Sequence, residues 1–374
     1  MSPRKGGFRH LIYFIDGTWL WPGSDRTLDV YSNIYRLNTL LNADDATGHA
    51  QIIHYSRGLG AVTGIRKYTS GGFAYGIDEL VADLYINICS NHEPGDKLYI
   101  FGFSRGAVVA RALSGLLSKG ILDARHVNMF AHVWADYIGA NEITVPGLPG
   151  DVRSKISIAE YKAKCSETNP KIEFLGVFDT VAGGHGLTEV AQRLRLNERK
   201  VDANVKNAVQ ILAIDEQRNF FRPIMWTGKR DPKTYLEQIW MPGVHSDVGG
   251  AYGNRILGNI SLLTMIDRVV EKTDLSFDKE ECARYLAKPP AGTLPLIHNE
   301  YTRWWTMFSP SPQQRSVDTE IEQFIHPYAK WLDRQVVIYK GHTKHVRYSL
   351  PEHFAQLPVA PETISGIFKG LVPT

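Results

Sequence analysis

Leu98-Tyr99-Ile100-Phe101-Gly102-Phe103-Ser104-Arg105-Gly106-Ala107-Val108-Val109-Ala110 is the stretch on which the reading of this chain turns. Leu98 to Phe101 is an apolar run of strand length, set off by the turn signal Pro94-Gly95-Asp96. Ala107 to Leu117 reads as a helix. Between them lies Gly102-Phe103-Ser104-Arg105-Gly106, a G-x-S-x-G pattern. A strand that turns sharply into a helix has little room on either side of the turn residue. Glycines two before and two after the serine admit that packing and leave the hydroxyl projecting into the open. The pattern alone is weak, and an ordinary glycine-rich turn with a capping serine would satisfy it. The strand leading in and the helix leading out make it specific, and mark Ser104 as a candidate nucleophile.

Outward from this centre, short apolar runs alternate with helical patterns. Leu11 to Ile15, Gln51 to Tyr55, Lys97 to Phe101, Ile172 to Phe178 and Leu236 to Trp240 read as strands. Val30 to Leu41, Phe73 to Asn91, Ala107 to Leu117, Ala203 to Ile214 and Ile260 to Val270 read as helices. Such alternation implies an α/β fold with a mainly parallel sheet covered on both faces. Residues 121–170 break the rhythm. His126 to Ile138 has aromatics at helical spacing, and the segment reads as an inserted helical cap. After about Leu275 the signal weakens into a tail, 275–374, punctuated by Pro289-Pro290, Pro310-Ser311-Pro312 and Pro351. The expected organisation is one domain, 1–374, with that insertion and a loop-rich C-terminal extension packed on it.

A serine hydroxyl is a poor nucleophile until a base takes its proton. In nucleophile-elbow enzymes the partners follow in the order Ser, Asp or Glu, His, each after a strand. Asp179 directly follows the strand Ile172 to Phe178. His245 follows the strand Leu236 to Trp240, within Pro242-Gly243-Val244-His245-Ser246-Asp247-Val248-Gly249-Gly250. Both fall at strand ends, where α/β sheets place their sites. His185, in Gly183-Gly184-His185-Gly186, is the rival base. Asp247 is the rival acid, close to His245 in sequence for facing its ring. An oxyanion hole needs two backbone N–H groups. Arg105 should supply one, and the loop Asp16-Gly17-Thr18-Trp19, through Gly17 or Thr18, the other. Asp16 itself reads as a brace for that loop as readily as a catalytic group.

The chain has 374 residues, 43% hydrophobic and 22% charged, the profile of an ordinary globular protein with a large core. The net charge of +3 comes from 42 basic against 39 acidic residues spread along the chain, which argues against nucleic acid as a partner. The densest basic stretch, Arg193 to Lys200, is interrupted and reads as a solvated helix face. The three cysteines, Cys89, Cys165 and Cys282, give no disulfide framework and no zinc spacing, as suits a reducing compartment. Leu11 to Ile15 is too short for a signal-peptide core and no stretch is long enough to span a bilayer. The expectation is a cytoplasmic protein in the cell that makes it, whose export would need a route without a cleaved signal. The chemistry calls for no cofactor and no metal. Asp16, Asp179, His245 and Asp247 are nonetheless hard ligands that could gather around a cation, as in a metal-dependent phosphoesterase. A small-molecule carboxylesterase or thioesterase would keep the same three residues and change the substrate. A non-enzymatic interaction module would keep the hydrolase scaffold without its chemistry.

Several segments together resemble one known group. They are Phe14-Ile15-Asp16-Gly17-Thr18-Trp19, Gly95 through Ala107 with Arg111-Ala112-Leu113, and Leu175-Gly176-Val177-Phe178-Asp179-Thr180-Val181. Further on come Ala213-Ile214-Asp215-Glu216-Gln217-Arg218 with Phe220-Phe221-Arg222-Pro223, and Gln238 through Gly250. In this order they are similar to the DUF2235 family of α/β-hydrolases, whose best understood members are the Tle1-type phospholipase effectors of bacterial type VI secretion. A weaker echo extends through Ile297-His298 and Ile325-His326-Pro327, whose histidines receive no role from the pattern. The resemblance implies an α/β-hydrolase-like fold, a triad of Ser104, Asp179 and His245, and hydrolysis of phospholipid acyl esters. It also implies transient contact with a membrane surface, an immunity protein and a secretion-spike partner. Two departures stand out. Ala251 occupies a position where many members have a third glycine. The chain also has little room for the large extra segments that bigger effectors carry. The aromatic stretch at 126–138 and the cluster Tyr301, Trp304, Trp305, Met307 and Phe308 could meet a lipid surface, although a buried aromatic core is the simpler reading of each.

Overall fold

Leu11, Tyr13 and Ile15 fall on one face of the first strand and Ile12 and Phe14 on the other, and all five are buried. A strand buried on both faces needs cover on both, and that requirement organises the molecule. The computed structural model describes residues 7–17, 31–58, 76–144, 153–181, 183, 191–196, 200–228, 230–286, 294–301, 311–317, 322–339 and 345–366. At its centre is a seven-stranded sheet of β1 (His10–Ile15), β2 (Gln51–Ser56), β3 (Lys97–Phe103), β4 (Ile172–Phe178), β5 (Asn207–Ala213), β6 (Tyr235–Met241) and β7 (Gln323–Ile325). The spatial order is β7-β6-β5-β4-β3-β1-β2, and every pairing is parallel. The expected α/β architecture with a parallel sheet flanked by helices is the one the chain adopts.

Two apolar clusters cover the two faces. One joins Ile12, Phe14, Phe101, Phe174 and Trp240 to helices α1 (Asn33–Leu40) and α6 (Ile256–Lys272). The other joins Leu11, Tyr13, Ile100 and Val177 to α2 (Ile77–Asn91), α3 (Arg105–Leu117) and α4 (Phe130–Ile138). The chain runs outward from β1 to β2, then crosses to β3 on the other side of β1. The strand order therefore reverses between β1 and β3, the place where open α/β sheets form a crevice beyond their carboxyl ends.

One expectation is overturned. Residues 203–214 read as a helix, but 207–213 form strand β5, in the interior of the sheet between β4 and β6. Ala208 through Ala213 are all buried, so the run shows no polar–apolar alternation. A short buried run of this kind, apolar but for Gln210, fits a buried helix segment and a central strand equally well, and the sheet's need for a partner beside β4 decides it.

The tail contributes more structure than its punctuation suggests. It supplies β7 as the edge strand of the main sheet and a small sheet of 296–297, 336–339 and 345–347. The insertion at 121–170 packs along α2 and the last turns of α3. Tyr137 lies against Gly115, near the end of α3 remote from Ser104, and donates to the Leu194 carbonyl. Val133, Ala135 and Tyr137 are buried, which makes much of this aromatic stretch core. Trp304, Trp305, Met307 and Phe308 lie outside the described residues, as do Thr18, Trp19, His185 and residues 197–199. Among the described residues no helix is long and apolar enough to cross a membrane.

Candidate active site

The site begins at the end of β3. Ser104 has φ +58° and ψ −123°, a conformation that non-glycine residues rarely hold. It is fixed by the bond from its own N–H to the Phe178 carbonyl and by the start of α3 behind it. The two glycines of the pattern each have a measurable reason. A Cβ on Gly102 would come within 2.5 Å of the Gly106 carbonyl oxygen. A Cβ on Gly106 would lie 2.2 Å from the Ile15 oxygen and 2.4 Å from the Asp16 oxygen. The first turn of α3 thus rests directly on the end of β1. Gly106→Ala should cost about 1–3 kcal/mol through this overpacking, read as a lower urea midpoint; an unchanged midpoint would show that β1 and α3 can separate freely.

Asp179 ends β4, also at positive φ (+41°), with its N–H bonded to the Ile211 carbonyl. His245 opens the short helix α5 (His245–Val248) after β6. Its Nε2 lies 2.8 Å from Ser104 Oγ and its Nδ1 lies 2.6 Å from Asp179 Oδ2. The carboxylate can only accept, so Nδ1 carries the proton and Nε2 presents a lone pair to the serine hydroxyl. The sequence places these three residues 66 to 141 positions apart, and parallel strand ends bring them into one hydrogen-bonded line.

The ring of His245 is held from several sides. It stacks on Phe103 at 4.7 Å and meets the edge of Phe221 at 5.1 Å. Gly249 makes room for that Phe103 ring, since a Cβ there would lie 2.1 Å from it. The His245 N–H donates to Glu216 Oε2, and Glu216 is locked by a bidentate pair with Arg218. Arg218 in turn lies over the Phe221 ring. Burial pulls the His245 imidazole below its ordinary value, more than Asp179 raises it. The imidazole is therefore unprotonated at neutral pH. Asp179 is pushed up by burial, but the charge of Arg315 and the bonds from His245 and Arg315 more than reverse this and keep it an anion.

Arg315 is the residue that sequence reasoning missed. Its Nη1 and Nη2 reach Asp179 Oδ1 and Oδ2 at 2.5 and 2.8 Å. A lone arginine in the proline-rich tail carries no local pattern that would single it out. Glu216 and Arg218 did lie in one of the family-like segments, and the structure shows them bracing the His245 backbone.

The other sequence candidates separate. Asp247 turns away from the His245 ring: it accepts from the Val244 N–H and pairs with His298 Nδ1 at 2.6 Å, under the stacked ring of Tyr252. His298 is thus a partner of the loop that carries His245. His326 is buried, caps the helix 327–332 and contacts Thr264; burial drives its imidazole down to about 3, so it stays neutral. Asp16 is buried and accepts from Ser32, Tyr55 and the Gly17 N–H. Arg105 heads α3, where N–H groups point out of the helix end. The Gly17 N–H, read as the second oxyanion donor, is already engaged by Asp16 at 2.7 Å. Asp179 and His245 pair with each other, whereas Asp16 and Asp247 take other partners, so the four do not converge, and among the described residues no three His, Cys, Asp or Glu side chains could hold a metal ion together.

The sequence profile described as "T6SS, Phospholipase effector Tle1-like, catalytic domain" matches residues 9–268. The chain belongs to that family. It is 26% identical over 228 residues to an uncharacterized protein of Saccharomyces cerevisiae, covering 56% of this chain and 31% of that one. Among solved structures it is similar to an uncharacterized protein from Pseudomonas aeruginosa (19% identity, TM-score 0.39, covering 70% of this chain and 45% of that one). It is also similar to the Tle1 effector bound to the VgrG spike of the type VI secretion system (23% identity, TM-score 0.36, 67% and 52%). The chain spans between about a third and a half of the length of these relatives. The family matched is one of hydrolases. Its profile ends at residue 268, well before Arg315.

A buried acid close to this site gives a pH-dependent prediction. Asp215 accepts from the Gly243 N–H and from Tyr348, and burial pushes it up to about 7. An unfolded aspartate titrates near 3.9, so between about 4 and 7 the folded state holds the extra proton. Stability is then greatest below that window and falls as pH rises through it. Asp215→Asn should flatten this slope, seen as a smaller difference in Tm between pH 5 and pH 8. Asp16, also raised to about 7 by burial, keeps part of it. An undiminished slope in the variant would refute the assignment.

Proposed function

We propose that this chain is a serine ester hydrolase that cleaves phospholipid acyl esters, with Ser104, His245 and Asp179 as its triad. The observation that carries the reading is the line Ser104 Oγ–His245 Nε2–Nδ1–Asp179 at 2.8 and 2.6 Å, beyond the carboxyl ends of parallel strands. In the reaction, His245 takes the hydroxyl proton as Ser104 Oγ attacks the acyl carbon. The carbonyl oxygen becomes an anion that the Arg105 N–H stabilises. His245 then returns the proton to the departing alkoxide, the ester C–O bond breaks, and an acyl-serine remains. Water, deprotonated by the same imidazole, attacks that acyl group and releases the fatty acid and Ser104. Asp179 stays ionised throughout, orienting the ring and stabilising the imidazolium.

The lipid substrate rests on membership of a phospholipase effector family. The same membership supports delivery by a secretion spike, by a route without a cleaved signal from the cytoplasm of the producing cell, and a cognate immunity protein. In this reading the chain works as one hydrolase domain with an insertion at 121–170 and an extension at 275–374. Vesicles of mixed phosphatidylethanolamine and phosphatidylglycerol, assayed for released fatty acid beside short soluble esters and thioesters, test it. Fatty-acid release from the vesicles is the expected result. Rapid cleavage of short esters with no acyl release from any phospholipid would make the chain a small-molecule esterase instead.

A further inference from the structure

The family profile stops at residue 268, yet the most deeply buried charge of the site is paired with a side chain 47 residues further on. Asp179 is fully buried, and Arg315 is buried with it. The pairing is a fork on a fork: Nη1 to Oδ1 at 2.5 Å and Nη2 to Oδ2 at 2.8 Å. The same two nitrogens also donate to the Ala213 carbonyl at 2.8 Å and the Phe221 carbonyl at 2.6 Å. Four bonds leave the guanidinium one position. The peptide that carries it is fixed too, by the Gln313 N–H on the Gln217 carbonyl, by Arg222 on the Gln313 side chain and by His353 Nε2 on the Arg315 carbonyl.

The consequence lies in what is left for His245. Oδ1 is occupied by Arg315 and the Ala213 N–H, while Oδ2 is shared between Arg315 and His245 Nδ1. The carboxylate cannot rotate, so the direction in which it accepts the imidazole N–H is fixed. Part of its charge is also already balanced. An imidazolium formed beside it gains less than it would beside a lone carboxylate, because the guanidinium repels it. Among the described residues, the other titratable or charged groups around His245 are Glu216 and Arg218 after β5, which balance each other, Asp215 nearby, and Asp247 on its own helix, paired with His298.

We propose that Arg315 is a positioning residue for the base: it locks the Asp179 carboxylate and takes up part of its charge, so that the His245 ring is held toward Ser104 and its protonation is favoured less than beside a lone carboxylate. The C-terminal segment is thereby part of the active site, and the region matched by the family profile does not contain the whole of it. This inference rests on the reading of Ser104, His245 and Asp179 as the working triad.

Two substitutions in the full-length chain separate the charge from the fork. Arg315→Gln removes the charge. The acid limb of its kcat/KM profile should move up by about one pH unit, a tenfold change in the protonation equilibrium, and the His245 ring titration followed by NMR should move by the same amount. Arg315→Lys keeps a charge without the planar fork. Its acid limb should stay near the wild-type position while the plateau rate falls about tenfold from lost orientation. A merely structural arginine would lower the melting temperature in both variants and move neither the limb nor the ring titration, and that result overturns the proposal. If Arg315→Gln does not fold, Arg315→Lys decides alone, and an undiminished plateau rate overturns it. The NMR titration does not depend on ester hydrolysis. A ring that responds to Arg315→Gln in a protein that cleaves no ester would sink the proposed function and leave the coupling standing; active protein with an unresponsive ring would sink only the coupling.

Discussion

Ser104→Ala is expected to lower ester hydrolysis by about 10⁵- to 10⁶-fold, the loss typical when the nucleophile of a cooperating triad is removed. The same variant should lose covalent labelling by a fluorophosphonate, which wild type should accept at one residue. Stability should not fall with it. Ser104 holds φ +58°, a strained position that alanine tolerates no better and no worse, and its hydroxyl bonds a histidine also held by Asp179, Glu216, Phe103 and Phe221. The melting temperature is therefore the control: a loss of activity with an unchanged transition assigns the effect to chemistry. Retention of more than about a hundredth of the activity would be incompatible with Ser104 as the nucleophile, because what survives loss of a whole triad is only the oxyanion hole and binding.

The elbow was legible in the sequence because its constraints are local. A close strand–helix turn excludes Cβ atoms, so glycines must stand at fixed offsets, and Gly102 and Gly106 do so for contacts that can now be named. Asp179 and His245 were legible at one remove, through strand ends and chain order. Strand β5 was not, because Ala208, Gln210, Leu212 and Ala213 are good helix formers and burial on both faces leaves no alternation to offset them. Arg315 was beyond reach for a different reason. Its importance comes from a pairing 136 residues away in sequence, made by a segment without periodicity, and no local pattern encodes such a contact. The Gly17 N–H, one of the two loop donors the sequence offers, is bonded to Asp16 immediately before it, a short-range pairing that the strand–loop pattern does not encode. Thr18, the other loop residue the sequence offers, lies outside the described residues.

Asp179→Asn should damage both function and fold, and the two effects should separate in a double variant. An amide has one accepting end, whereas Asp179 accepts on both oxygens from Arg315, from His245 and from the Ala213 N–H. If the amide nitrogen faces His245, Nδ1 must become the acceptor and the proton moves to Nε2, where it blocks removal of the serine proton. If it faces Arg315, donor meets donor. The first outcome costs about 10⁴ in kcat, as expected for a base held in the wrong tautomer. Either outcome leaves the Arg315 guanidinium buried without its counter-charge, at a cost of about 3–5 kcal/mol. Arg315→Met removes that unpaired charge. The double variant Asp179→Asn/Arg315→Met should therefore regain most of the stability lost in Asp179→Asn, a non-additivity well outside the scatter for independent sites. Activity should recover by no more than about tenfold, because a neutral amide cannot offset the charge of the imidazolium however it is turned. Urea midpoints at constant m-value and kcat for the single and double variants are the measurements. Additive stabilities would show that the pair contributes nothing as a pair. Wild-type activity in Asp179→Asn would remove the aspartate from the mechanism and leave Ser104 and His245 to act as a dyad.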